Sequence, residues 1–169
     1  MGKVCNSLMV TERPGAPKRA SKRLSDIHVL VVDDDEDTRE LIAIVLEDAG
    51  ATVKRAESVP NAIQAFTRHD FRVLVSDIGM PVEDGYDLIR RLRAGGASAR
   101  SCGVPAVAVT AFSAPEDRKK ALAAGFQEHL AKPVEVAALV DVVARLAASN
   151  ADAPPRAPDA FSGAAKASE

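Results

Sequence analysis

Between about residue 26 and residue 148, short, mostly apolar runs alternate five times with longer stretches in which apolar positions recur every three or four residues. Such runs read as strands buried on both faces, and the periodic stretches as amphipathic helices that cover them. The predicted strands are residues 27–32, 52–56, 71–76, 105–109 and 128–131. The predicted helices are 36–48, 58–68, 85–92, 113–124 and 134–147. Strand and helix in strict alternation are the signature of a parallel sheet wrapped on both faces. The expected inward stripes are Leu41, Ile42, Val45 and Ala49 in the first helix, Ala62, Ile63 and Phe66 in the second, and Leu88, Ile89 and Leu92 in the third. The last helix is expected to pack Val136, Leu139, Val140, Val143 and Leu146. Gly50 and Gly125 supply helix stops. Ser58 reads as a cap, and Ser113-Ala114-Pro115-Glu116 as a capping box with its proline in the first turn.

Residues 1–25 carry Lys, Arg, Pro and Ser without a hydrophobic period and are expected to form a disordered basic leader. Residues 149–169 form an Ala/Pro-rich tail whose prolines oppose helix and strand. The 169 residues, 47% hydrophobic and 27% charged, are thus read as one domain, 26–148, with two tails. A net charge of -2 gives no electrostatic reason to expect nucleic acid, and the basic leader lacks interleaved aromatics. Cys5 and Cys102 build neither a disulfide framework nor a zinc site. With no apolar run of membrane-spanning length and no signal-peptide core, a cytoplasmic location is expected.

The chemistry concentrates at the ends of the predicted strands. Asp33-Asp34-Asp35 follow the first, Asp77 ends the third, Thr110 follows the fourth and Lys132 follows the fifth. If the strands are parallel, these groups share the carboxyl edge, where open α/β sheets bind ligands. Asp35, Glu36 and Asp37 are accounted for by a helix N-terminus, which favours acids. Asp33 and Asp34 lie before the first turn, on the same rim as Asp77. Three carboxylates that close repel unless a cation is present, and Mg²⁺ suits such a site because it is small, hard and takes oxygen ligands. The set has the parts for Mg²⁺-assisted phosphoryl transfer to an aspartate.

The motifs Val31-Val32-Asp33-Asp34, Ser76-Asp77-Ile78-Gly79-Met80-Pro81-Val82-Glu83-Asp84-Gly85, Val109-Thr110-Ala111 and Leu130-Ala131-Lys132-Pro133 together resemble the receiver domain of two-component response regulators. The resemblance spans about residues 26–148. It implies a flavodoxin-like doubly wound five-stranded parallel sheet of order 2-1-3-4-5 with helices on both faces. It also implies Asp77 as the acceptor of phosphoryl from a histidine kinase or phosphotransfer protein. Asp34 and Asp77 would ligate Mg²⁺ through side chains, Gly79 through its carbonyl and Asp33 mainly through water. Lys132 would pair with the acyl phosphate, and Thr110 would hydrogen-bond a phosphoryl oxygen. Such a protein is a phosphoacceptor rather than an enzyme with turnover, monomeric or dimerising on phosphorylation. His129 departs from the family pattern, which has Tyr or Phe three residues before the lysine, and is the expected switch residue. Gly79 and Phe112 flank the path by which water would attack the acyl phosphate.

Three functions fit these residues. A stand-alone receiver would signal by changing a face built from the fourth helix, fifth strand and fifth helix. A phosphorelay shuttle, resembling the receivers of hybrid kinases, would return phosphoryl to a histidine. An aspartate-nucleophile phosphatase of the haloacid dehalogenase type would use Asp33 and Asp35 as its Asp-x-Asp. That last family needs a further acidic pair on a strand beyond the lysine, and here one helix with Glu135 and Asp141 follows.

Overall fold

A computed structural model describes residues 23–98, 100–111 and 114–149. The expectations for residues 1–22 and 150–169, for Phe112 and for Ser113 in its capping box lie outside the described residues. Five strands, β1 (His28–Val32), β2 (Thr52–Ala56), β3 (Val73–Asp77), β4 (Ala106–Thr110) and β5 (Glu128–Ala131), form one parallel sheet of order β2-β1-β3-β4-β5. They alternate with α1 (Glu36–Asp48), α2 (Val59–Arg68), α3 (Gly85–Arg93), α4 (Pro115–Ala124) and α5 (Val136–Ser149). This is the expected flavodoxin-like arrangement. Strand order reverses between β1 and β3, so the loops after both open onto one crevice.

Alternation along each strand divides the core in two. Leu30, Val32, Leu74, Ala106 and Ala108 face α2, α3 and α4. Val29, Val31, Val73, Val75, Val107 and Val109 face α1 and α5. Both central strands, β3 and β4, are buried along their whole length, which is why their sequences read as unbroken apolar runs.

Several expectations need correction. In α1 the buried residues are Ile42, Ala43 and Leu46, whereas Leu41 is 59% exposed and Val45 only half-buried. In α5 Val136 is 56% exposed, while Leu139, Val140, Val143 and Leu146 pack as expected. Ser58 occupies the N-cap of α2 without a side-chain cap bond, and Ala114 occupies that of α4. The reciprocal box lies on α3, where Asp84 accepts from the Asp87 N–H and the Asp87 side chain accepts from the Asp84 N–H. Leu24, placed in the leader by its surroundings, is fully buried and its N–H donates to the Ala49 carbonyl at 2.9 Å. The packed core therefore reaches back beyond residue 26.

Behind the sheet's last connection, the Arg93 guanidinium gathers loops that are distant in sequence. It donates to the carbonyls of Cys102 (2.8 Å), Val104 (2.9 Å) and Gly125 (2.8 Å). Burial pulls its pKa below the usual value, since the carbonyls solvate the cation without neutralising it. Gly125, φ +116°, ends α4 in the left-handed region, where a side chain would be strained.

Candidate functional site

The parallel ladder brings the carboxyl ends of β1, β3, β4 and β5 into line, and every strand-end group expected from the sequence lies on that edge. Asp33 follows Val32 and is 1% exposed; Asp77, the last residue of β3, is 6% exposed; Thr110, the last of β4, is 2% exposed. Lys132 follows β5, and its N–H donates to the Thr110 carbonyl at 2.8 Å. The Lys132–Pro133 peptide bond is cis.

Lys132 is the centre of the arrangement. Its ammonium donates to Asp33 Oδ2 at 2.9 Å and lies 3.1 Å from Asp77 Oδ1, bridging the ends of β1 and β3 from β5. Burial would lower the lysine pKa, but the two carboxylates outweigh it through hydrogen bonds and charge, so the ammonium is held above its usual value. Burial also raises the Asp33 carboxyl, against the opposing pull of Lys132 and of the Asp35 N–H that donates to it at 3.0 Å. Asp33 thus resists ionisation more than a solvated aspartate, and a further cation beside it would relieve that cost.

Asp33, Asp34 and Asp77 each present a carboxylate oxygen within 4.8 Å of the others, and Asp34 is exposed to solvent. When all three are ionised, one ammonium faces three carboxylates. An all-oxygen, partly hydrated cluster of that charge fits a hard divalent cation such as Mg²⁺ and not a soft metal that prefers thiolate or imidazole. Gly79, two residues beyond Asp77, is exposed. A Cβ built there would lie 3.5 Å from Asp77 Oδ2, an ordinary contact, so no steric reason demands glycine. At Gly85 the reverse holds. A Cβ would meet the Asp77 carbonyl oxygen at 2.3 Å, so this glycine lets the start of α3 pack directly under the site.

His129, on β5, is half-buried, and its Nε2 is buried without a hydrogen-bond partner. Two other features leave no sign in the sequence. Arg39 Nη1 donates to the Asp33 carbonyl at 2.7 Å, tying α1 to the acidic turn. Beside Lys132, a groove of about 180 Å³ is lined by Leu41, Ile42 and Val45 of α1 and by Pro133, Val136 and Leu139. Leu41 and Val136, expected in the core, instead border the site. The loop between β3 and α3 adds Val82, fully exposed at φ 71°, a strained conformation for a β-branched residue.

A doubly wound α/β domain with acids, hydroxyl and ammonium gathered at its carboxyl edge is the class that this geometry defines. Within that class, the chain belongs to the response regulator receiver domain family, whose model matches residues 29–144. It is 42% identical over 120 residues to a 14.6 kDa protein of the sodA1 3′ region of Leptolyngbya boryana, covering 71% of this chain and 89% of that one. It is 34% identical over 119 residues to the sensor histidine kinase RcsC of Salmonella typhi, covering 70% of this chain but 12% of the kinase. Among solved structures, the chemotaxis response regulator CheY4 of Vibrio cholerae aligns with a TM-score of 0.65 and 28% identity, over 71% of this chain and 98% of that one. The receiver domain of the sensor histidine kinase PA1611 of Pseudomonas aeruginosa, described with a magnesium ion in its active-site cleft, aligns at 0.65 and 29%, over 72% and 98%. The chain is a receiver domain of two-component systems, homologous both to response regulators and to the receivers of hybrid kinases. No helix among the described residues is long and apolar enough to cross a membrane.

Proposed function

We propose that Asp77 accepts phosphoryl from a phosphohistidine of a histidine kinase or histidine phosphotransfer protein. A carboxylate oxygen of Asp77 attacks phosphorus, the P–N bond to the donor imidazole breaks, and that ring leaves with the bonding electrons and takes up a proton. The observation that carries this reading is the Lys132 ammonium held 3.1 Å from Asp77, where it offsets the charge that otherwise keeps a carboxylate from approaching a phosphoryl group. Asp33, Asp34, Asp77 and the Gly79 carbonyl would hold Mg²⁺, which supplies further neutralisation of the phosphoryl oxygens. Thr110, buried on the next strand end, offers its hydroxyl to one of those oxygens. The apolar rim of Leu41, Val82 and Val136 gives a donor protein a surface to cover as its histidine comes over the site.

Phosphorylation withdraws Lys132 from its present pairing with Asp77, and the change is read on α4, β5 and α5 around His129. Glu128 of β5 pairs with Arg118 of α4 and with Arg145 of α5, so the three elements share one ionic surface. Similarity to the sensor kinase RcsC favours a second reading, a relay in which Asp77 returns phosphoryl to a histidine; back-transfer from the phosphorylated protein to a purified phosphotransfer domain distinguishes the two. The primary test is labelling of the full chain by acetyl phosphate. Labelling is expected only with millimolar Mg²⁺, lost in Asp77→Ala, and slowed at least about tenfold in Asp34→Asn. Labelling that persists in Asp77→Ala overturns the assignment.

A further inference from the structure

We propose that the outer edge of β2 docks an extended acidic peptide segment, which adds to the sheet as a further strand. Among the described residues β2 ends the sheet and pairs only with β1. The Thr52 N–H donates to the Ile27 carbonyl and the Asp33 N–H to that of Ala56. Hydrogen bonding alternates along a parallel strand, so Thr52, Lys54 and Ala56 turn their main chain toward β1. The N–H and C=O of Val53 and Arg55 therefore face outward, unpaired by the sheet.

A groove of about 420 Å³ borders the second half of this edge, from Lys54 onward, between α1 and α2, with Arg39, Lys54, Arg55 and Arg68 on its walls. Four cations line it against two acids. Glu40 pairs with Arg55, which Glu47 also holds, and Glu57 accepts from Asn61 at 3.2 Å. Lys54 and Arg68 enter no ion pair among the described residues, which leaves the groove with surplus positive charge. Lys54 stands in register with Leu30, on the face of the sheet that α2 covers, so Lys54 and Arg68 flank the same side. Alternate side chains of an added strand point to that side. Acids at those positions would pair with both cations while the intervening main chain bonds to Val53 and Arg55.

Charges on an edge strand ordinarily block pairing. Here they discriminate. A second copy of β2 would set Lys54 and Arg55 against like charges, which is unfavourable, whereas an acidic strand meets the opposite sign. An open groove lined mostly by polar and charged side chains is poorly shaped for a small ligand but suited to backbone pairing.

The test is a nuclear magnetic resonance titration of the ¹⁵N-labelled full chain with a hexapeptide alternating glutamate and valine. Controls are its lysine–valine counterpart, the glutamate–valine peptide N-methylated on alternate residues, and inorganic pyrophosphate. The glutamate–valine peptide should shift the Val53 and Arg55 amide resonances, and the controls should not. Lys54→Glu combined with Arg68→Glu should weaken that binding by about tenfold or more, while Asp77 labelling by acetyl phosphate shows that the variant is folded. Equal binding of the N-methylated peptide, or the same shifts from pyrophosphate, would make the groove a general anion site and overturn strand addition. Absence of shifts at millimolar peptide overturns the proposal as well.

Discussion

Helices α4 and α5 cover opposite faces of the sheet on either side of β5, and they are attached to it very differently. α5 buries Leu139, Val140, Val142, Val143, Leu146 and Ala147. α4 buries Ala121 alone, and its one large apolar residue, Leu122, is 38% exposed. Gross burial therefore favours α5 by on the order of 10 kcal/mol against about 1 kcal/mol for α4. Elements with few buried contacts open first and move most readily. The contrast makes α5 part of the fixed frame and α4 the part that a change at the sheet's carboxyl edge can displace at low cost.

The sharpest challenge to this contrast is truncation on each helix. Leu139→Ala should cost about 3 kcal/mol in unfolding free energy, through lost burial and the cavity left behind, whereas Leu122→Ala should cost less than about 1 kcal/mol. Similar losses in urea denaturation would erase the distinction. Amide exchange provides the next measure. Protection over Pro115–Ala124 should fall below that over Val136–Ser149 by at least about tenfold in rate, and equal protection would mean that α4 opens only with the whole domain.

Between the helices, His129 carries a buried ring nitrogen without a partner. His129→Phe removes the unsatisfied atom and should raise stability by about 1 kcal/mol. A loss of stability would show that the nitrogen is satisfied, and with it that the ring is held rather than free to turn. The smallest effect concerns Tyr86, which packs edge-on against Phe126 with ring centroids 6.5 Å apart. Burial, and then the nearby charges of Asp117 on α4 and Asp84, hold its phenol above the ordinary value of 10.0. A raised folded pKa means that the protonated ring supports the fold below about pH 10 and that this support is lost as pH rises through the folded value. Melting curves from about pH 8 to 11 should fall more steeply for the wild type than for Tyr86→Phe. Parallel curves would place Tyr86 outside the α3–α4 contact.

Strand positions and rim chemistry could be read from the sequence because both are local properties. A run such as Val73–Asp77, buried on both faces, admits no charged residue until it reaches the edge, so Asp77 announces the end of its strand. Helix facing was harder. α1 carries two apolar stripes at helical spacing, Ile42 with Leu46 and Leu41 with Val45, and periodicity cannot choose which one meets the sheet. The stripe that lost is the one that borders the site. The first turn of α5 misled for a related reason, since Val136 continues the apolar pattern of a buried helix while projecting onto the same border. The Arg93 bonds to main-chain carbonyls 9 to 32 residues away were unreadable because such acceptors leave no trace in side-chain pattern.

Those bonds give α4 a mechanical character. Arg93 grips the Gly125 carbonyl at the far end of the helix, and Phe126, just beyond, is sunk in the core. At the near end, Ala114 caps the helix without a side-chain bond. A rod clamped at one end and loose at the other does not slide; it swings. Gly125 would then act as the fulcrum and α4 as the lever, so that a small displacement near Thr110 would reach its largest excursion at the first turn, Pro115 to Arg118, where Arg118 faces Glu128 of β5.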